Sequence, residues 1–362
     1  MHVGLNLIFL APGDTGGMEV AARELLPALV AAAPRHRFTA FVNRDAGSGP
    51  WTELMPSVVV PVSIARRSEW VRGEQQLLPR LAQKAGVELM HSLASTGPAH
   101  GRFRRVVTVH DLIYRRFPEA HAGVRSLGMR VLVPLAVRSS HRVIADSQST
   151  RHDLIELLGT PPEKVDVVPL GIGAPRRAQP AAPVNLGGDR PILLTLSAKR
   201  PHKNLAALID AVAQIPQERR PQLVLPGYPT PHEQELRARA AQSGVDASFP
   251  AWLSEAEIEG LWDAAAAFVY PSLYEGFGLP VLEAMQRRVP VACSNAASLP
   301  EVAGDAALTF DPRDTAAMTR AIERVLGDPP LRERLVRAGA KRAAQFSWER
   351  CARETLEVYR RA

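Results

Sequence analysis

Cysteine is nearly absent: the 362 residues hold two, Cys293 and Cys351. Two cysteines exclude a disulfide framework and make a reducing, cytoplasmic setting the expectation. Cys293 closes an apolar run that starts at Val289, and Cys351 falls in a late helical pattern, so both read as packing residues. Long apolar runs are missing too. The longest, Ala264 to Tyr270, has seven residues, against the roughly 20 that span a bilayer. The first residues lack the basic start of a secretory leader, and their apolar stretch from Val3 to Leu10 is broken by Asn6. It reads as a buried strand. No G-x-G-x-x-G follows a strand pattern, which disfavours a nicotinamide dehydrogenase. No Asp-x-Asp occurs, so the usual carboxylate clamp for a divalent ion is absent. Neither a metal nor a cofactor is expected. No short repeat appears.

What is there is ordinary for a soluble globular chain: 46% apolar and 22% charged residues, at a length that suits about two domains. The formal charge is +7, which fits either a solvated surface or an affinity for anions. The basic residues come in small knots: Arg66-Arg67, Arg104-Arg105, Arg115-Arg116, Arg176-Arg177 and Arg287-Arg288. None is a long block interleaved with aromatics, so no nucleic acid is expected. Arg102, Arg104 and Arg105 with Arg115 and Arg116 raise peripheral contact with an anionic membrane at its inner face; plain surface charge accounts for them as well.

Short apolar runs alternate with helical patterns. Strands are expected at Val3–Phe9, Phe38–Val42, Val58–Pro61, Leu89–Ser92, Val106–Val109, Val143–Ala145 and Val165–Val168, with helices at Met18–Ala33, Arg125–Ser139 and Thr150–Leu158. A linker rich in glycine and proline follows, from Gly171 to Pro191. The alternation then restarts, with strands at Ile192–Leu196, Gln222–Leu225, Phe268–Tyr270, Val289–Ala292 and Ala307–Phe310. Helices lie between them at Leu205–Ala213, Pro231–Ala241, from Ser254 to Ala266 behind a capping box, and at Leu279–Arg287. Thr315–Leu326, Pro330–Gln345 and Trp348–Arg361 close the chain as helices. This is an α/β pattern of two doubly wound, Rossmann-like domains facing each other across a cleft. In such sheets ligands bind beyond the carboxyl ends of strands, so the loops there are where chemistry is expected.

Four loops qualify. Ala11 to Met18 carries Gly16 and Gly17 ahead of a helix, which suits either anion binding or a plain turn. Thr108 to Asp111 ends a strand with His110 beside Asp111, a proton-sharing pair or a structural one. Ser197 to Leu205 sets Lys199, Arg200 and Lys203 before a helix, a cluster suited to a diphosphate. Tyr270 to Met285 sets Glu275 and Glu283, with seven residues between them, around Gly276 and Gly278. Its carboxylates suit hydroxyls and its backbone N–H groups suit phosphate oxygens.

The stretch Glu275-Gly-Phe-Gly-Leu-Pro-Val-Leu-Glu283-Ala-Met resembles the signature of the large retaining glycosyltransferase family four, which has the GT-B fold. Gly16-Gly17-Met-Glu19, Val143 to Ser147, Val168 to Ile172, Pro201-His-Lys203-Asn204-Leu and Val289 to Val302 resemble its flanking segments, so the likeness covers nearly the whole chain. The resemblance implies an acceptor-binding domain over residues 1–172, a donor-binding domain over 173–345, and a last helix, 346–362, crossing back to the first. It implies transfer of a sugar from a nucleotide-diphosphate donor to a saccharide or lipid-linked saccharide, with retention and without metal. In that reading Lys203 and a second cation stabilise the leaving diphosphate, Glu275 holds sugar hydroxyls and Glu283 holds the ribose. The backbone at Phe277, Gly278 and Leu279 faces sugar and phosphate, Gly16 and Gly17 close on the diphosphate, and His110 lies near the sugar. Family members often carry an arginine five residues before the lysine; here that residue is Ala198, and Arg200 takes its place, with Lys199 as the alternative. Phe249 to Leu253 falls where the family lines its base pocket. The expected donor is GDP-mannose or another hexose donor, and the expected acceptor a growing bacterial surface polysaccharide or lipopolysaccharide. A non-hydrolysing sugar-nucleotide epimerase on the same architecture, or a non-catalytic nucleotide-sugar binder, is the alternative.

Overall fold

The first sheet is built from β1 (His2–Leu7), β2 (Arg37–Val42), β3 (Ser57–Val59), β4 (Leu89–Ser92), β5 (Arg104–Val109), β6 (Arg142–Ala145) and β7 (Val165–Val167). The structure is a computed structural model that describes residues 1–11, 17–46, 49–118, 124–173, 182, 186, 189–251 and 253–362. Every strand pairing is parallel, in the order β3-β2-β1-β4-β5-β6-β7. β1 is buried along its whole length, as a strand covered by helices on both faces must be. That is why its sequence reads as an apolar run rather than an alternation.

The second sheet has β8 (Ile192–Leu194), β9 (Gln222–Val224), β10 (Ala247–Ser248), β11 (Ala265–Tyr270), β12 (Val291–Ser294) and β13 (Ala307–Phe310), again all parallel, in the order β10-β9-β8-β11-β12-β13. The chain divides into two units, Met1–Gly171 with Phe346–Ala362, and Ile172–Gln345. In each sheet the strand order reverses once at its centre, between β1 and β4 and between β8 and β11. The loops leaving those strands flank the crevice that doubly wound sheets use for ligands.

The helix Trp348–Arg361 belongs to the first unit because its apolar face, from Trp348 through Cys351, Ala352, Leu356 and Tyr359, is buried there. The Tyr359 hydroxyl and His91 Nδ1 are 2.7 Å apart, and Arg361 pairs with Asp166 at 3.0 Å. Gly171 lies against the backbone of Ser347 and Trp348 with no room for a Cβ. Any larger residue at this position would push the last helix away.

Most expected elements form within one or two residues of their expected bounds, and the capping box at Ser254 and Glu257 is made on both sides. The differences have local causes. The apolar pattern places nothing between Pro61 and Leu89, yet helical turns run from Arg67 to Lys84, with a π turn at Gly73–Leu77. Pro79 reads as a break, but it directly follows the π turn, a local irregularity in the backbone hydrogen-bond ladder, within the same run. β11 begins three residues before the expected Phe268, because its alanines also suit the preceding helix. β12 begins two residues late, because the Val289 N–H is spent on Ala284 O at the preceding helix end. The short strand β10 and the helix Leu299–Ala303 have no counterpart in the apolar pattern.

The π turn carries a buried carboxyl to the β1/β4 crevice. Glu74 is 2% exposed; one of its oxygens accepts from Asn6 Nδ2 at 3.1 Å and from Thr96 Oγ1 at 3.0 Å. Burial pushes its pKa up to about 7 against those hydrogen bonds. A carboxyl raised from its ordinary value binds a proton in the native state that the unfolded chain has lost. Stability is therefore full below about pH 4.5 and falls as pH rises through 7. Glu74→Gln should flatten that slope, gaining up to about 3 kcal/mol at pH 8 relative to pH 5. Denaturant midpoints of both proteins at the two pH values check this; parallel midpoints would show that the carboxyl carries no such load.

Candidate functional site

Lys203 and Glu275 meet at the β8/β11 crevice. Lys203 ends a single 3₁₀ turn, Pro201–Lys203, in the loop after β8. Asn204 then takes a left-handed conformation, with φ of 59°, which an asparagine tolerates better than most residues. Its Nδ2 donates to Pro271 O at 3.2 Å and Pro312 O at 2.8 Å. That clamp fixes the lysine against the loop after β11, where the Leu273 N–H donates to His202 O at 2.9 Å. Lys203 Nζ lies 2.6 Å from Glu275 Oε1 and donates to the Tyr270 hydroxyl at 3.2 Å, with the Tyr270 ring 5.5 Å away.

Both members of the pair are mostly buried, at 14% and 12% side-chain exposure. Burial alone would neutralise them. Instead the Glu275 carboxylate holds Lys203 above the ordinary lysine range, and Lys203 holds Glu275 below the ordinary carboxylate range. Burial also lifts the Tyr270 phenol well above its usual value, so it stays protonated.

The loop carrying Glu275 is held from beneath. Ser298 Oγ lies 2.9 Å from Glu275 O and 2.6 Å from Phe277 O, and Ser294 Oγ donates to Ser272 O at 2.6 Å. Gly276 and Phe277 make the turn, and Gly278 caps the helix Leu279–Gln286. With φ at 114° and a Cβ position 2.6 Å from Leu299 Cδ2, residue 278 has to be glycine. Pro280 occupies the first turn of that helix, and Glu283 lies in the next. Glu283 is half-buried, which raises its pKa; Arg287 opposes the rise and Glu259 adds to it. Arg287 itself is tied to Glu259 and lies 5.4 Å from the Trp262 ring.

The two candidates for second cation separate clearly. Lys199 is 1% exposed; its Nζ donates to Gly227 O at 2.6 Å and pairs with Glu233 at 3.2 Å. Lys199 is therefore corrected from a donor-binding cation to an internal one. Arg200 is half-buried and makes no ion pair with a described residue, which leaves its charge available.

His110 also departs from the expected pairing. Its Nδ1 lies 2.6 Å from Asp146 Oδ2, not on Asp111, and its Nε2 lies 2.8 Å from Leu93 O. Asp111 instead accepts from the Ile113 N–H. A carboxylate and a carbonyl both only accept, so both ring nitrogens carry protons. Burial opposes the charge, but Asp146 lifts the His110 pKa to about 9. A histidine so engaged braces the loop after β4 and has no ring nitrogen left to take a proton from a ligand. Nearby His91 is its opposite, pushed by burial down to about 3 and neutral.

Gly17 opens the helix Gly17–Ala32, while Gly16 lies outside the described residues, as does Trp252. Arg104 and Arg105 begin β5, and Arg115 and Arg116 follow its end. A six-residue strand is about 20 Å long, so the two knots lie at opposite ends of β5. Arg116 is also paired with Asp153 at 2.6 Å and with Glu156. No described helix is long and apolar enough to cross a membrane, and no group of three or more metal-binding side chains stands among the described residues.

Sequence reasoning gave no role to Tyr270, Asn204 or Ser298, which position the Lys203–Glu275 pair. Asn204 left a signal as the asparagine between a cation and a helix. Ser298 left none, because its partners are carbonyls more than 20 residues away.

Residues 179–342 match the family model described as glycosyl transferases group 1, and residues 15–176 the model of glycosyltransferase family 4. The chain is 34% identical over 272 residues to O-antigen chain mannosyltransferase B of Escherichia coli, covering 72% of this chain and 71% of that one. It is 29% identical over 278 residues to the serotype-specific mannosyltransferase WbdA of Escherichia coli, spanning only 34% of that longer protein. The solved sucrose-phosphate synthase of Thermosynechococcus elongatus superposes with a TM-score of 0.81 at 22% identity, over 99% of this chain and 98% of that one.

Proposed function

We propose a sugar-transfer reaction from one premise: the chain belongs to the glycosyltransferases of group 1, family four. The reaction moves a hexose, mannose by preference, from a nucleotide-diphosphate donor to a saccharide hydroxyl, with its anomeric configuration retained. The acceptor is a growing surface polysaccharide, free or on a lipid carrier. The observation that carries this is the Lys203–Glu275 pair at the β8/β11 crevice, with Arg200 on the same loop and in no ion pair with a described residue. The mannosyltransferase relatives support the choice of sugar.

When the bond between the anomeric carbon and the phosphate oxygen breaks, negative charge grows on the diphosphate. Cations fixed beforehand at that place lower the barrier, because they need no reorganisation. Lys203 and Arg200 supply them. The acceptor oxygen forms the new bond to the anomeric carbon on the face the leaving group vacates, and its proton passes to the departing phosphate oxygen. No protein base is required, which agrees with His110 being fully protonated and engaged. Glu275 and Glu283 accept from neutral hydroxyls of the sugar and the ribose.

The test is release of nucleoside diphosphate from GDP-, UDP- and ADP-hexoses in the presence of EDTA, with and without a mannose-terminated oligosaccharide. Release from one donor, accelerated by the acceptor and retained with EDTA, is the expected result. Epimerised donor without acceptor would overturn it in favour of an epimerase. Tight binding of a donor with no turnover under any of these conditions would overturn it in favour of a binding protein.

A further inference from the structure

The order of strands sets three loops in a row at one end of the second sheet. The loop after β11 carries Glu275, the next, after β8, carries Lys203, and the one after β9 carries Tyr228. Neighbouring strands are about 4.8 Å apart, so the row runs on past the ion pair by about one strand. Tyr228 is 45% exposed, and it is the one exposed residue among the described phenylalanines, tryptophans and tyrosines. An aromatic ring normally buries its large apolar faces; this one is held in water at the ligand-binding end of the sheet.

The loop beneath it is fixed by side-chain and backbone hydrogen bonds. Lys199 Nζ donates to the carbonyl of Gly227, the residue next to Tyr228, and Thr230 Oγ1 donates to Lys199 O at 2.8 Å. Gly227 has φ of 138°, and its N–H donates to Pro250 O at 3.0 Å, joining the loop after β9 to the one after β10. Glu233 pairs with Lys199 and with Arg237, whose guanidinium lies 4.5 Å from the Phe249 ring. Burying an ammonium group is costly, and an apolar side chain of similar volume usually serves stability as well. Among the described residues its hydrogen bond and its ion pair go to the loop that presents Tyr228 and to the helix behind it.

We propose that Tyr228 is the platform on which the nucleobase of a nucleoside diphosphate stacks, and that Lys199 is a positioning residue that holds it there through Gly227 and Glu233. The inference rests on the reading of Lys203 as the diphosphate cation: with the diphosphate on Lys203 and Arg200, the base reaches the β9 side of the row. Every base has a π-face, so stacking gives affinity for the nucleoside without choosing strongly among bases.

Titration calorimetry with GDP, UDP, ADP and inorganic pyrophosphate tests it. Tyr228→Ala should weaken the preferred nucleoside diphosphate about tenfold or more and pyrophosphate by less than about twofold. Tyr228→Phe should restore the loss. Lys199→Met should weaken the nucleoside diphosphate selectively in the same way. If that variant does not fold, the two Tyr228 variants decide alone. An equal loss for nucleotide and pyrophosphate, or no loss in Tyr228→Ala, would overturn the platform. Loss of both ligands in Lys203→Ala would still leave the diphosphate site standing. A wild-type protein that binds none of the four probes would overturn both.

Discussion

Lys203→Ala lowers turnover of the preferred donor by about 10²–10³, the usual cost of losing one fixed donor to a developing charge. The lysine is charged at any working pH, because its partner carboxylate outweighs the burial that would neutralise it. In the ligand-free protein that charge is spent on Glu275 at 2.6 Å. Two unit charges at about 4 Å interact by about 4 kcal/mol at an effective dielectric of 20. A diphosphate carries more than one charge and so competes well for the ammonium, freeing Glu275 to accept from hydroxyls. Removing Lys203 therefore acts twice: the leaving group loses its cation and meets an unpaired carboxylate. Single-turnover rates at saturating donor, with thermal unfolding as the fold control, give the answer. Turnover within about threefold of wild type in a folded Lys203→Ala protein would show that the cation is elsewhere. Arg200→Ala should cost less, because Arg200 is held by no ion pair among the described residues and pays more entropy to engage a ligand.

How much of this was legible in the sequence depended on how local each cause is. The strands were legible because buried parallel strands read as apolar runs, and β4, β13 and the helices Leu205–Ala213 and Trp348–Arg361 have the bounds their patterns imply. The helical turns at Arg67–Lys84 were not, because Gly73 and Pro79 fall inside the run and read as breaks in the sequence. The Lys203 and Glu275 loops were found from residue types at strand ends, which is a local signal. Their meeting at 2.6 Å is not local, since it depends on β8 and β11 being neighbours although β9 and β10 lie between them in the chain. The same limit explains His110. The adjacent Asp111 looks like its partner in the sequence, but the next strand, β6, leads to Asp146, and a parallel neighbour outranks a chain neighbour. Lys199 and Arg200 are adjacent cations with opposite fates. One points to Gly227 and Glu233 inside the sheet edge, and only the position of β9 decides which.

Glu275→Gln separates stability from turnover. Removing one member of a buried ion pair costs about 3–5 kcal/mol when the other is left uncompensated, and less where water still reaches it. Here both side chains keep a little over a tenth of their exposure, so a loss of about 2–3 kcal/mol is expected, or roughly 5–10 °C in the unfolding midpoint of a unit of this size. A nucleoside diphosphate should return most of that loss, because its phosphates replace the missing negative charge beside Lys203. The pH dependence has a definite sign. The Glu275 carboxyl is held below its ordinary value of 4.5, so the stability it contributes is complete above that pH and disappears as pH falls through the lower, folded value. The wild-type midpoint should therefore fall on acidification in a range where the Glu275→Gln midpoint does not. Adding Lys203→Met to Glu275→Gln removes the stranded charge and should recover stability without recovering turnover, a non-additivity that only directly coupled groups show. Additive losses in that cycle would mean that the 2.6 Å pair is not energetically coupled, and a ligand-free midpoint unchanged in Glu275→Gln would mean that it carries no net load.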